Sequence, residues 1–205
     1  MSDSTPVRAV IFDIGNVILR FDFSIALKKI AALCTPEPAV ILQVMEPAKV
    51  AYEGGRLSRA DFFSEMRRLT AYRGTDAEFI SAWEDIFTEN EPVRDLVGKL
   101  HGRVPLYLLS NTNDMHLDYI HKCYPVFGCF TDAVYSHVAG AAKPEPEIFE
   151  IAARQFGLKP AEAIFIDDLL PNIEAAQRAG FRTHHYHHER HEALLQDLQR
   201  AGLAI

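Results

Sequence analysis

The sequence has few cysteines and no concentrated basic segment. Its three cysteines, Cys34, Cys123 and Cys129, are odd in number and show no CxxC spacing. This argues against a disulfide framework and favours a reducing, cytoplasmic setting. The 21 Lys and Arg residues are outnumbered by 28 Asp and Glu, for a formal charge of −7, and they form no run. Because binding to a nucleic-acid backbone needs clustered cations, no nucleic-acid partner is expected.

Long apolar runs are also missing. No stretch approaches the roughly 20 residues that a membrane helix needs, so no membrane partner is expected. The first residues lack the basic and apolar regions of a signal peptide, and we expect disorder only over Met1 to Pro6. Hydrophobic residues nonetheless make up 48% of the 205 residues, enough to bury a sizeable core.

Short apolar runs alternate with helical patterns over most of the chain. The predicted strands are Arg8–Phe12, Val104–Leu109, Ala133–Tyr135 and Ala163–Ile166. The predicted helices are Pro92–Leu100, Met115–Cys123, Pro146–Phe156 and Ile173–Ala179. This alternation predicts an α/β fold with a doubly wound parallel sheet and helices on both of its faces.

Between residues 17 and 89 the pattern is helical only. Ser58 with Asp61, and Thr75 with Glu78, are typical of helix starts. Two apolar helix faces are predicted, formed by Phe62, Met66 and Leu69 and by Phe79, Trp83 and Phe87. We therefore predict a core domain over residues 1–16 and 90–205, interrupted by a small helical domain over residues 17–89.

Polar residues follow several of the predicted strands. Because the carboxyl ends of parallel strands lie along one edge of a sheet, residues far apart in sequence can meet there. Asp13 follows the first strand, and a carboxylate can attack phosphorus. The N–H groups of the turn at residues 14–16 could hold phosphate oxygens. Taken alone, Asp13 is more typical of a strand-end residue that caps a turn.

Three further polar segments suit the same chemistry. The adjacent carboxylates Asp167 and Asp168 repel each other unless a cation intervenes, and Mg²⁺ prefers such oxygen ligands. Lys143 would offset charge on a phosphate, and Ser110 and Asn111 can donate hydrogen bonds to it. Each also has an ordinary alternative, as a helix cap, a solvated loop or an exposed lysine.

In this order, the polar segments resemble the motifs of the haloacid dehalogenase superfamily. The matching stretches are Phe12-Asp13-Ile14-Gly15-Asn16-Val17, Leu109-Ser110-Asn111-Thr112, Lys143-Pro144, and Ile166-Asp167-Asp168 with Asn172. The resemblance covers nearly the whole chain and implies a Rossmann-like core with a first-type helical cap. It is greatest for a bacterial branch that includes sugar-phosphate phosphatases acting on glucose 1-phosphate.

The resemblance also implies roles for single residues. Asp13 would be the nucleophile, and Ser110, Asn111 and Lys143 would hold the phosphoryl group. The Mg²⁺ ligands would be Asp13, the Gly15 carbonyl and Asp168, supported by Asp167 and Asn172. The implied function is a Mg²⁺-dependent phosphatase for a small phosphorylated metabolite.

One position departs from the superfamily pattern. Most of its phosphatases have a second Asp two residues after the nucleophile, which protonates the leaving group and later activates water. Here that position is Gly15. Such assistance is typically worth about 10²–10⁴ in rate, so another group, water or an easily departing leaving group must compensate. An anomeric sugar phosphate would supply such a leaving group.

Two other functions fit the same fold. A dehalogenase also uses an Asp nucleophile, but it attacks carbon without a metal and has no need of Asp167 and Asp168. An inactive member would bind a phosphorylated ligand or a protein partner, and Gly15 is compatible with that. The retention of Asp13, Ser110, Lys143 and Asp168 favours the phosphatase over both alternatives.

Two further groups of residues are candidates for roles that the motifs do not cover. Substrate specificity is expected on the helical insert, with Glu46, Tyr52, Glu53 and Arg56 as candidates. The C-terminal histidines could bind a transition metal, but their spacing is more typical of a final edge strand and a solvated turn into the last helix. These histidines are His184, His185, His187, His188 and His191.

Overall fold

A five-stranded parallel sheet forms the centre of the computed structural model, which describes residues 6–205. Most of the segment expected to be disordered lies outside the described residues. The strands are β1 (Ala9–Phe12), β2 (Leu19–Phe21), β3 (Phe87–Glu89), β4 (Leu106–Ser110), β5 (Asp132–Tyr135), β6 (Ala163–Asp167) and β7 (Arg182–His185). The sheet order is β5-β4-β1-β6-β7, and β2 and β3 form a separate antiparallel pair.

The central strand β1 shows why both faces of the sheet are covered. All its residues are buried, and successive side chains point to opposite faces. Val10 and Phe12 belong to one hydrophobic cluster, whereas Ala9 and Ile11 belong to another. A strand that is buried on both faces needs a continuous apolar run, and the sequence supplies one.

Helices flank the sheet and form the insert. They are α1 (Phe23–Ile30), α2 (Pro38–Glu53), α3 (Arg59–Thr70), α4 (Asp76–Glu84), α5 (Glu91–Leu100), α6 (Asp114–Cys123), α7 (Ser136–Ala139), α8 (Pro146–Gln155), α9 (Leu170–Arg178) and α10 (His191–Arg200). The predicted fold class is confirmed: a doubly wound, Rossmann-like parallel sheet with a small inserted helical unit. Among the described residues, no helix is both long and apolar enough to cross a membrane.

The helices of the insert begin where the capping signals predict. The Ser58 side chain accepts a hydrogen bond from the Asp61 N–H at the start of α3. At the start of α4, Thr75 and Glu78 form a reciprocal capping box. The insert has its own apolar core, in which the Phe79 and Trp83 rings stack with centroids 5.2 Å apart.

The prediction of helices alone between residues 17 and 89 is wrong at both ends of that segment. β2 and β3 pair there, with Phe21 opposite Phe87. Phe87 therefore lies in a strand and not on the α4 face, because α4 ends at Glu84. Three-residue strands give too little alternation to be detected in a sequence.

The exact limits of the inserted domain stay a prediction. Val17, Ile18 and Leu19 are fully buried in a cluster with residues of β1 and α5. Their packing favours a start of the insert a few residues beyond residue 17. The paired strands β2 and β3 lie at the two ends of the predicted insert.

Candidate active site

Two buried carboxylates and one buried ammonium meet at the carboxyl edge of the sheet. Asp13 directly follows β1, and its N–H donates to the Ile166 carbonyl at 2.9 Å. Lys143 Nζ lies 2.9 Å from Asp13 Oδ1 and 2.6 Å from Asp167 Oδ2. The Lys143 side chain is only 1% exposed, so this is an interior charge cluster and not a surface ion pair.

The backbone at Lys143 is fixed by the loop after β4. The Asn111 side chain donates to the Lys143 carbonyl at 2.8 Å and accepts from the Lys143 N–H at 2.8 Å. The amide oxygen and one amide hydrogen of Asn111 are therefore engaged with the Lys143 backbone, and its backbone N–H stays a candidate to meet a phosphate. Ser110 is the last residue of β4 and is buried beside a cavity at this edge of the sheet.

Asp167 is held from several directions. The Asn172 amide donates to its two oxygens at 3.0 and 3.1 Å, and the Leu169 N–H donates to Oδ1 at 2.8 Å. Together with Lys143, these contacts use both carboxylate oxygens. The geometry therefore suits Asp167 and Asn172 to positioning Lys143 and not to direct contact with a ligand.

Asp168 has a more open environment. Its Oδ2 accepts from the Asn16 side chain at 3.0 Å, and its carbonyl lies 2.9 Å from His185 Nε2. One carboxylate oxygen from each of Asp13, Asp167 and Asp168 lies within 4.8 Å of the others. Asn16 was not singled out in the sequence, although it stands inside the first motif.

The turn after Asp13 supplies fewer N–H groups than predicted. Asn16 has a left-handed backbone, with φ of 53°, and its N–H donates to the Leu19 carbonyl at 2.7 Å. This N–H is therefore not available to phosphate. Only the N–H groups of Ile14 and Gly15 stay candidates for that role. The Gly15 carbonyl, predicted as a metal ligand, belongs to the same turn, and Gly15 lines the cavity.

The charges of this cluster shift one another's titration. Burial raises the pKa of Asp13, an effect that Lys143 opposes and Asp167 reinforces. Burial also raises the pKa of Asp168. Burial by itself would lower the pKa of Lys143, but Asp13 and Asp167 outweigh it and raise that pKa. Lys143 is therefore a permanent cation, whereas Asp13 and Asp168 need additional positive charge nearby to stay ionised.

The cluster suits a hard divalent cation. Its donors are carboxylate oxygens, which Mg²⁺ prefers, and Asp13 and Asp168 both face the cavity. Asp13 Oδ1 is buried and accepts no aligned hydrogen bond, although Lys143 Nζ is near it. A buried carboxylate oxygen without such a donor is a position that a cation can satisfy.

A cavity of about 360 Å³ opens between this edge of the sheet and the insert. Its floor includes Asp13, Ser110, Lys143 and Asp168. The facing wall comes mainly from the β2 region, α2 and α6. The residues of this wall are Phe21, Phe23, Glu46, Lys49, Val50, Glu53, Ile86, Phe87, His116 and Ile120.

Two of the four predicted specificity residues line the cavity, and two do not. Glu46 and Glu53 lie one above the other on α2 and face the site. Tyr52 is buried against Phe62 and donates its hydroxyl to Asp114. Arg56 is exposed and donates to the Val50 carbonyl at 3.3 Å. The sequence reasoning missed Lys49, which lies between the two glutamates and pairs with both.

The C-terminal histidines lie in and after an edge strand that leads into the last helix, as the alternative to a metal site predicts. His184 and His185 lie in the edge strand β7, and His191 begins α10. His184 Nδ1 lies 2.7 Å from Asp197 Oδ2, so its nearest partner is a helix carboxylate. Within residues 6–205, the group of three metal-ligating side chains is Asp13, Asp167 and Asp168, and it includes none of these histidines.

The sheet order, the inserted helices and the buried Asp–Lys–Asp cluster define a Rossmann-like α/β core with an inserted helical cap. A family model described as haloacid dehalogenase-like hydrolase matches residues 7–180. The chain belongs to this hydrolase family.

Similar proteins include both curated enzymes and solved structures. D-ribitol-5-phosphate phosphatase from Bacteroides thetaiotaomicron is 28% identical over 188 residues, which are 86% of this chain and 90% of that protein. A HAD family enzyme from the same organism, solved with magnesium and inorganic phosphate, is 27% identical with a TM-score of 0.75 over 87% of this chain and 93% of that one. A HAD-like family hydrolase from Porphyromonas gingivalis is 27% identical, with a TM-score of 0.81 over 95% and 98% of the two chains.

Proposed function

We propose that this protein is a Mg²⁺-dependent phosphatase that hydrolyses a small phosphorylated metabolite through an aspartyl-phosphate on Asp13. The observation that carries the proposal is the buried Lys143 ammonium, held within 2.9 Å of Asp13 at the floor of a cavity. A fixed interior cation beside a potential nucleophile is suited to an anionic group and to the charge of its transfer.

The residues divide the work by position. Asp13 attacks phosphorus, which forms the Asp13–phosphorus bond and breaks the bond to the leaving oxygen. Ser110, Lys143 and the Asn111 backbone N–H hold the phosphoryl oxygens during this displacement. Asp167 and Asn172 keep Lys143 in place, since Asp167 accepts from both of them.

Asp13, Asp168 and the Gly15 carbonyl would hold the Mg²⁺ ion, with Asn16 orienting the Asp168 carboxylate. When bound, the ion supplies Lewis-acid stabilisation of the transferring group. Asp13, Asp168 and a phosphate are all anionic, so without a cation they repel one another in one pocket. This requirement is the physical reason to prefer a phosphatase over a dehalogenase.

The cavity favours a hydroxylated substrate such as a sugar or polyol phosphate. Glu46, Lys49 and Glu53 offer charged donors and acceptors, and Phe21 and Phe23 offer apolar surface close to them, with Lys49 Nζ 5.7 Å from the centre of the Phe23 ring. Pockets that bind small molecules combine apolar walls with a few convergent polar groups in this way. The D-ribitol-5-phosphate phosphatase among the similar proteins supports the same substrate class.

The test is a panel of sugar and polyol phosphates, including D-ribitol 5-phosphate and glucose 1-phosphate, with p-nitrophenyl phosphate as an aryl reference. We expect Mg²⁺-dependent release of phosphate from at least one sugar or polyol phosphate. Binding without turnover would favour an inactive ligand-binding member. Halide release from a 2-haloacid in excess chelator would favour a dehalogenase.

A further inference from the structure

We infer that Glu53, on the cap helix α2, is the acid–base residue that replaces the carboxylate missing at Gly15. The inference rests on the phosphatase function proposed above. It starts from the geometry of in-line displacement, in which the leaving oxygen lies opposite the attacking one. Asp13 attacks from the end of β1, so the leaving oxygen points away from the sheet and towards the cap.

The cap presents few groups that can donate a proton to that oxygen. Of the carboxylates that line the cavity, Asp13 and Asp168 lie on the floor, and Glu46 and Glu53 lie on α2. Asp13 is the nucleophile and Asp168 is a metal ligand in the proposed function. The Glu46 side chain is 56% exposed, whereas that of Glu53 is 18% exposed. Glu53 is thus the sheltered carboxyl group on the side of the leaving group.

The backbone around Glu53 is fixed to the loop that holds phosphate. The Ser136 hydroxyl accepts from the Thr112 N–H at 3.0 Å and donates to the Glu53 carbonyl. Thr112 is two residues after Ser110, so a single buried hydroxyl joins the end of α2 to the phosphate-binding segment. This places Glu53 against the core and not at a distant edge of the cap.

Gly55, which follows α2 closely, also allows the end of this helix to lie against the core. Its φ is +70°, and a Cβ there would lie 2.4 Å from the His137 carbonyl oxygen. Only glycine fits without a shift of backbone, so the end of α2 can rest directly on α7. This contact is separate from the Ser136 bridge and fixes the same end of the helix.

The protonation of Glu53 suits the role. Burial raises its pKa to about 7, with Lys49 opposing the rise and Glu46 adding to it. Lys49 and Glu46 are the charged neighbours on its own helix, and His137 lies beyond the Gly55 contact on α7. A group that titrates near neutral pH is present in both forms, as an acid–base catalyst requires.

Glu53 alone can carry out the proton transfers of both steps, the formation and the hydrolysis of the aspartyl-phosphate. In the first, the Glu53 carboxyl gives its proton to the leaving oxygen as Asp13 displaces it, so an alcohol leaves and a Glu53 carboxylate remains. In the second, that carboxylate takes a proton from water as the water oxygen attacks phosphorus and the Asp13–phosphorus bond breaks. Glu53 ends protonated, and Asp13 ends as a free carboxylate.

The test compares leaving groups. For Glu53→Gln, kcat/KM for the fastest sugar or polyol phosphate of the panel should fall by about 10² or more, because an alkoxide needs a proton to depart. The kcat/KM for p-nitrophenyl phosphate should change little. The release of p-nitrophenol should show a burst, because hydrolysis of the aspartyl-phosphate has lost its base. Glu37→Gln removes the same charge from the exposed start of the same helix, outside the cavity, and should leave the alkyl-to-aryl ratio of kcat/KM unchanged.

The pH profile separates this role from a structural one. In the wild type, kcat/KM for the alkyl substrate should decline above about pH 7, where Glu53 loses its proton. Lys49→Met should move this decline to higher pH, and Glu53→Gln should remove it. Equal losses for both substrates, or an unmoved decline in a folded Glu53→Gln, would overturn the inference. A wild type inactive on every phosphate would instead reject the proposed function.

Discussion

Replacing Lys143 by Met should be among the most destabilising single changes in this protein. The Lys143 side chain is 1% exposed and neutralises Asp13 and Asp167, whose side chains are 10% and 0% exposed. Removing one partner of a buried ion pair typically costs about 3–5 kcal/mol, because the other charge is left unpaired. For a chain of this size, this corresponds to a fall in Tm of roughly 6–20 °C.

The assay is urea and thermal unfolding in the presence of a chelator, so that no cation replaces the lost ammonium. Lys29→Met is the matched control, because Lys29 lies 2.8 Å from Asp85 in an exposed pair. Breaking such a surface pair costs about 1 kcal/mol or less. If the two variants lose the same stability, Lys143 does not neutralise a buried cluster and the electrostatic reasoning fails.

The destabilisation should also depend on pH. Burial raises the pKa of Asp13 above its unfolded value of about 3.9, and without Lys143 nothing on that side opposes the rise. When the pKa of a carboxyl group is higher in the folded state, it costs no folding stability below the pKa of the unfolded state, because both states are then protonated. The loss of stability grows as the pH rises towards and through the pKa of the folded state. Lys143→Met should therefore lose more stability at pH 8 than at pH 5, and a pH-independent loss would contradict this.

Three further predictions concern activity. Chelation, or Asp168→Asn, should abolish phosphatase turnover, and full activity in excess chelator would revive the dehalogenase reading. Gly15→Asp should be tolerated, because Gly15 has no left-handed φ and a Cβ would meet only the Phe21 ring, at 3.0 Å. In a Glu53→Gln background, Gly15→Asp should raise the alkyl-to-aryl ratio of kcat/KM. An unchanged ratio would show that position 15 cannot hold the catalytic acid. The insert should close over ligand about β2 and β3, which scattering with and without a phosphate mimic would show, and identical curves would argue for a rigid site.

The parts of the fold that sequence predicts are those with strong local patterns. The strand at Ala9–Phe12 is apolar on both faces, and the capping residues Ser58 and Thr75 stand at the starts of α3 and α4. These signals depend on residues that are adjacent or a few positions apart. The short strands β2 and β3 are stabilised by each other across a gap of more than 60 residues, so neither leaves a local signal.

The same distinction applies to the site. Asp13, Ser110 and Asp167 could be placed at one edge because they end parallel strands, and the structure places them there. The inward direction of Lys49 and Glu53 depends on how α2 lies on the core. That orientation is fixed by tertiary contacts such as the one from Ser136, which no spacing in the sequence announces.

The central claim is the aspartyl-phosphate on Asp13, and rapid acid quenching during turnover tests it most directly. Wild-type protein would be quenched with Mg²⁺ and p-nitrophenyl phosphate, digested and analysed by peptide mass spectrometry, beside Asp13→Asn. We predict a phosphoryl group on the peptide that carries Asp13 in the wild type, and neither this adduct nor turnover in Asp13→Asn. Turnover near the wild-type rate in Asp13→Asn, or a phosphoryl group on another residue, would contradict the claim.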